Sequence, residues 1–167
     1  MNRIYNLLFV CTANSARSLM AEALANQMGA GRIHAFSAGS TPRGEVNPHA
    51  LEALTLASLP TAGLHSKGWE KFVGAGAVEM DMVITLCNRA AAETCPVWPG
   101  APVTAHWSIP DPAAASGSQD DVQRAFATTL QMLRHRIGLL LALKPEALDH
   151  LALQSRVDEI GRSTDRA

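Results

Sequence analysis

Tyr5–Val10 is a nearly unbroken apolar run that stops abruptly at the polar stretch Cys11-Thr12-Ala13-Asn14-Ser15. A run this short, without polar alternation, predicts a strand covered on both faces, as in parallel sheets. The polar loop leads into a helix from about Ala16 to Met28, rich in Ala, Leu and Met, which Gly29 can terminate. Arg32–Ser37 reads as a second short strand, ended by Ala38-Gly39-Ser40. Beyond Pro42, Gly44 and Pro48 the pattern predicts a helix across about His49–Ser58, then an irregular stretch and a helical turn near Trp69–Val73. Asp81–Leu86 is the third strand and Val103–Trp107 a short fourth. Ser118 and Asp121 predict a capping box opening a long helix, on which Val122, Phe126, Leu130, Leu133, Ile137 and Leu141 recur at helical spacing. Pro145 interrupts the chain, and Glu146–Ile160 forms a final helix closed by Gly161. Strands alternating with helices indicate an α/β domain with a parallel sheet and right-handed crossovers.

Composition narrows the class. With 167 residues and 47% hydrophobic content the chain suits one domain, spanning 1–167, with its own core. A formal net charge of -1 gives no basic field, so neither nucleic acid nor an anionic membrane is an expected partner. No apolar run approaches the ~20 residues that cross a bilayer, and the opening segment lacks the features of a signal peptide. A cytoplasmic location is therefore expected. Three cysteines are an odd number, and in such a compartment cysteine serves redox, metal or nucleophilic chemistry more often than stapling. The six histidines show no ligand spacing and no Cys-x2-Cys pair exists, so no metal is expected.

Candidate chemistry concentrates at the end of the first strand. In Cys11-Thr12-Ala13-Asn14-Ser15-Ala16-Arg17-Ser18 a cysteine closes a buried strand, and an arginine follows in the first turn of a helix. That geometry aims backbone N–H groups and the helix dipole at one point, a ready anion site that also favours the thiolate form of Cys11. Arg17 can fork two N–H bonds onto a tetrahedral oxyanion. Ser18 is placed to donate to the sulfur, and Asn14 tolerates left-handed backbone and can tie the loop together. Glu22, five residues beyond Arg17, reads as a solvated helix residue.

These residues, with Ser37-Ala38-Gly39 after the second strand, resemble the low-molecular-weight protein tyrosine phosphatase superfamily. The resemblance implies a four-stranded parallel sheet flanked by helices, with the Cys-x5-Arg loop as active site. Thr12, Ala13, Asn14, Ser15, Ala16, Arg17 and Ser18 would then bind the oxyanion, and Ser37 would match a serine that helps hold the loop's asparagine. It also makes Asp111, between Pro110 and Pro112, the general acid that protonates a leaving oxygen; a lone Asp-Pro would otherwise read as a turn.

Two further cysteines separate the possible reactions. Cys87 ends the third strand, at the carboxyl edge shared with Cys11, and Cys95 follows eight residues later. Either could be a small buried hydrophobe. Together they could pass two electrons: a second thiol attacks the sulfur of a Cys11–oxyanion adduct, leaving the electron pair on the oxyanion's central atom, and a third accepts the resulting disulfide. Cys87…Cys95-Pro96-Val97-Trp98-Pro99-Gly100, His106-Trp107 and Asp111-Pro112-Ala113 are similar to bacterial arsenate reductases of the phosphatase-like, three-cysteine type. Glu45-Val46-Asn47-Pro48 and Asp158-Glu159-Ile160-Gly161-Arg162 extend the likeness over nearly the whole chain. It implies reduction of arsenate, with phosphate or sulfate as mimics, a Cys87–Cys95 disulfide, no bound cofactor, and recycling by thioredoxin or by glutaredoxin and glutathione.

The chain departs from that pattern in two places. Better-known members space the redox cysteines one residue closer. Some members hold potassium at positions matching Asn14 and Glu22 with a later Thr and Asp; here Ser66-Lys67-Gly68 stands in that region, and a lysine ammonium can replace the cation. A phosphatase with a redox-protected Cys11 is the alternative. Ala113-Ala114, where tyrosine phosphatases carry aromatic residues, counts against phosphotyrosine, and retention of Cys11, Arg17 and Asp111 together counts against a non-catalytic sensor.

Overall fold

The computed structural model describes residues 3–92, 96–144 and 150–163. Four strands, β1 (Tyr5–Cys11), β2 (Ile33–Gly39), β3 (Met82–Thr85) and β4 (Val103–His106), form one parallel sheet in the order β2-β1-β3-β4. The helices are α1 (Arg17–Met28), α2 (Pro48–Leu56), α3 (Asn88–Ala92), α4 (Gln119–Leu141) and α5 (His150–Gly161). Short 3-10 turns occupy Trp69–Phe72 and Pro112–Ala114.

Both faces of the central strand are buried, as its continuous apolar run requires. Leu7 and Phe9 join Met82, Ile84, Val103 and Ala105 against α1, α4 and α5, while Leu8, Val10 and Val83 pack with Phe72, Met80 and Trp98 on the other side. Trp98 lies edge-on to Trp69 at 6.3 Å, so its role is loop packing, and Trp107 is fully buried against Phe9. The Ser118–Asp121 capping box forms in both directions at the start of α4. That helix buries Leu140 rather than the expected Leu141. The final helix is described from His150; residues 145–149, including the expected break at Pro145, lie outside the described residues.

The topology decides where chemistry can occur. The chain leaves β1 toward β2 on one side and leaves β3 toward β4 on the other. A crevice therefore opens between the carboxyl ends of β1 and β3, the switch point of an open parallel sheet.

Gly161 locks α5 under the segment that leaves β4. A Cβ there would come within 2.4 Å of the His106 carbonyl oxygen and 2.8 Å of Trp107 Cδ1. Helix propensity favours alanine over glycine by up to about 1 kcal/mol, whereas forcing backbone apart costs about 1–3 kcal/mol. Gly161→Ala is therefore expected to lower the unfolding free energy in chemical denaturation; an unchanged or higher midpoint would mean that this contact yields freely.

Candidate active site

β1 ends at Cys11, and the next five residues wrap around the mouth of α1. The wrap is set by where its carbonyls go. Thr12 and Ala13 carbonyls accept from the N–H groups of Thr41 and Arg43 at 2.9 and 2.8 Å, and that of Ser15 accepts from Asn47 N–H at 2.8 Å. Ser66 Oγ adds a second bond to the Ala13 carbonyl at 3.3 Å. With carbonyls turned outward, the amides of Ala13–Ala16 turn inward, and among the described residues none of them donates a hydrogen bond. Ala16 begins α1 with no side-chain cap, so the first-turn N–H groups also stay open to an anion. Gly39 allows this close approach: a Cβ there would meet the Thr12 carbonyl oxygen at 2.5 Å.

Asn14 adopts the left-handed backbone at φ 44° and is fully buried. Its Oδ1 accepts from Lys67 N–H at 2.9 Å, which fixes the amide, and its Nδ2 then donates to Ser18 Oγ at 2.7 Å. The Ser18 hydroxyl lies 2.9 Å from Cys11 Sγ. Since Ser18 Oγ already accepts from Asn14, its own hydrogen is free to point at the sulfur. Cys11 itself is 3% exposed.

Beneath Asn14 lies a buried ionic cluster. Lys67 Nζ stands 3.6 Å from Glu22 Oε1 and donates to Ser37 Oγ at 3.3 Å and to the His65 carbonyl at 3.0 Å. Ser37 Oγ donates to Glu22 Oε1 at 3.1 Å. Ser37 therefore supports the loop through Glu22 and Lys67 rather than by touching Asn14. Glu22 is no solvated residue: its side chain is 13% exposed and faces Lys67. Burial lowers the Lys67 pKa, and the Glu22 carboxylate opposes that shift.

Arg17 leaves the first turn of α1 and reaches across the cleft. Its Nη1 donates to the Ile109 carbonyl at 3.0 Å, and its Nη2 lies 3.8 Å from Asp111 Oδ2. Asp111 caps the Pro112–Ala114 turn through Ala113 N–H at 3.0 Å, and its side chain is 46% exposed. Cys87, two residues beyond β3, is a free thiol like Cys11 and is 5% exposed; its Sγ lies 3.4 Å from Thr12 Oγ1 and accepts from Ala90 N–H at 3.3 Å. Thr12, Arg17, Cys87 and Asp111 line one open cleft of about 580 Å³. Cys95 lies outside the described residues. The oxyanion loop, Arg17, Asp111 and Cys87 thus meet at one edge of the sheet.

Sequence reasoning missed a second layer behind this cleft. Thr85 Oγ1 bonds His106 Nδ1 at 2.8 Å, His106 Nε2 bonds Asn88 Oδ1 at 2.9 Å, and Ser108 Oγ reaches the same oxygen at 3.3 Å. The chain ties α3, which follows Cys87, to the segment that carries Asp111. The short α3 gave no periodicity to find it by.

A sheet ordered β2-β1-β3-β4 with a Cys-x5-Arg loop at its switch point defines a thiol-based oxyanion enzyme architecture. The chain belongs to the low molecular weight phosphotyrosine protein phosphatase family, whose model matches residues 6–152. Within it the chain is similar to the arsenate reductase of Bacillus subtilis (strain 168), at 34% identity over 130 residues, 78% of this chain and 87% of the relative. Arsenate reductase 1 of Staphylococcus epidermidis is 32% identical, over 77% of this chain and 95% of its own length. A solved arsenate reductase in its oxidized state superposes with a TM-score of 0.68 at 28% identity, covering 83% of this chain and 98% of that one. Among the described residues no helix is long and apolar enough to cross a membrane.

Two outcomes follow from the buried charges. Lys67→Met leaves Glu22 without its partner and is expected to destabilise the fold by about 3 kcal/mol in chemical denaturation, with much of the loss recovered by adding Glu22→Gln. Equal midpoints for Lys67→Met and wild type would contradict the pairing. His106 is held below its ordinary 6.5 by burial, aided by the Arg136 charge and opposed by Thr85. The unfolded chain then takes up the proton first as pH falls, so stability decreases below about pH 6.5. His106→Gln should show a shallower fall across that range in unfolding free energies; an identical slope would exclude His106 as its source.

Proposed function

We propose that the protein reduces arsenate to arsenite with its own thiols, and that Cys11, Arg17, Cys87, Cys95 and Asp111 carry the reaction. The observation that carries this reading is a second free thiol, Cys87, at the rim of an oxyanion cradle: its Sγ lies 3.4 Å from Thr12 Oγ1 in the cleft that Arg17 and Asp111 share. A phosphatase needs only the first thiol. The similarity to arsenate reductases over more than three quarters of the chain supports the same choice. So does the likeness, at 29% identity and a TM-score of 0.64, to an arsenate reductase in a phosphate-binding state, since arsenate and phosphate share charge and tetrahedral shape.

In this reading the inward amides of Ala13–Ala16, with Thr12 beside them, and the Arg17 fork hold the oxyanion, and the Cys11 thiolate attacks arsenic. Asp111 protonates the departing oxygen, which leaves as water. Cys87, as thiolate, attacks Cys11 Sγ; the sulfur–arsenic bond breaks, its electron pair stays on arsenic, and arsenite departs. Two electrons have moved, and a Cys11–Cys87 disulfide remains. Cys95 then attacks Cys87 Sγ, releasing the Cys11 thiolate and leaving Cys87–Cys95 for an external dithiol, thioredoxin or glutaredoxin with glutathione. The electrons pass through thiols alone, so the cycle needs no bound cofactor. It does need a reducing compartment such as the cytoplasm.

Arsenate-dependent NADPH oxidation with thioredoxin and thioredoxin reductase, and in parallel with glutaredoxin and glutathione, tests the cycle. Cys87→Ser is expected to lose multiple-turnover reduction with either reductant while keeping any slow phosphate-ester hydrolysis. Full arsenate turnover by Cys87→Ser would refute the relay.

A further inference from the structure

The segment that carries Asp111 is gripped at two successive carbonyls by arginines from different helices. Arg17 Nη1 donates to Ile109 O at 3.0 Å from inside the cleft, and Arg136 Nη1 donates to Ser108 O at 2.9 Å from α4. Arg136 is 4% exposed, and it lies on the helix face that buries Thr129, Leu133, Ile137 and Leu140. Three residues after Leu133, that position is one where helical spacing calls for an apolar side chain. A buried guanidinium is costly unless its bonds return something that an apolar residue could not.

We propose that Arg136 is a positioning residue for the Asp111 acid, anchoring the base of the arm that places its carboxyl over the cradle. Pro110 and Pro112 fix their own φ and confine Ile109 and Asp111 to extended conformations, and Asp111 has φ -77° and ψ 111°. With so few free torsions between Ser108 and Pro112, the placement of Ser108 decides where Asp111 arrives. Arg17 cannot serve as sole anchor, because its guanidinium also receives the oxyanion and its Nη2 edge already faces Asp111 at 3.8 Å. Arg136 touches Ser108 from behind and keeps the arm in place whether or not the cradle is filled. The inference rests on Asp111 acting as the acid in the proposed reaction.

A double-mutant cycle of Arg136→Met and Asp111→Asn tests it, with Arg136→Lys as the conservative variant. Arg136→Met is expected to lower kcat for arsenate about tenfold or more with KM within about twofold, a part of what a general acid contributes. In the Asp111→Asn background the same substitution should cost nothing further, and Arg136→Lys, which can still donate to one carbonyl, should stay near wild type. Equal losses in both backgrounds, or a raised KM with unchanged kcat, would overturn the assignment. Hydrogen exchange supplies a reading independent of turnover, and Arg136→Gln stands in for Met should Met disturb the fold. Removing the anchor, in Met or Gln, should speed exchange of the Ala113 amide, which Asp111 Oδ1 holds, by about tenfold while the amide of Lys67 under the cradle stays as protected as in wild type. Unchanged Ala113 exchange would overturn the proposal. Failure of the wild type to form arsenite would instead count against the arsenate reading and leave the exchange result standing.

Discussion

The geometry of the site depends on the outward turn of the carbonyls of Thr12, Ala13 and Ser15. Each is taken by a backbone N–H of the loop between β2 and α2, so the residues between Cys11 and α1 have their amides left for the cradle. An amide ring of this kind cannot be built from the loop alone, since N–H groups without partners repel one another and attract water. The second loop, the left-handed Asn14 and the small Gly39 together hold it open. Such a ring suits an acceptor that carries negative charge.

From that ring, two lines of support run outward. One passes from Cys11 through Ser18 and Asn14 to the Lys67 backbone, and from the Lys67 ammonium to Glu22 and Ser37. It places a buried ion pair below the loop. The other passes from Arg17 to Ile109 and on to Asp111, with Arg136 behind it. The parallel sheet explains why these lines converge with Cys87: β1, β3 and β4 all end at the same edge, so two thiols and a carboxylate far apart in sequence arrive together, with Cys87 and Asp111 lining one cleft.

Much of this was legible in the chain. The apolar run Tyr5–Val10 followed by Cys11 and Arg17 marked strand, loop and helix, and Ser118 with Asp121 marked the start of α4, because each signal is local. What escaped depends on contacts between distant residues. By helical pattern alone Glu22 looks like any exposed glutamate; only the family resemblance set it beside the ammonium of Lys67, 45 positions later in the chain, where the structure places it. The His106–Asn88 link joins two segments that have no periodicity of their own. Arg136 did leave a trace, a charged residue on the apolar stripe of α4, which helical spacing alone could have flagged.

In the proposed reaction, arsenate in the Cys11 cradle takes its electrons from Cys11 and Cys87. The most direct measurement uses reduced Cys95→Ser protein mixed with excess arsenate and no external reductant, followed by arsenite quantification and peptide mapping of disulfides. One arsenite per protein molecule and a Cys11–Cys87 disulfide are expected. Both thiols remaining free with no arsenite formed, in protein that still binds arsenate, would contradict it.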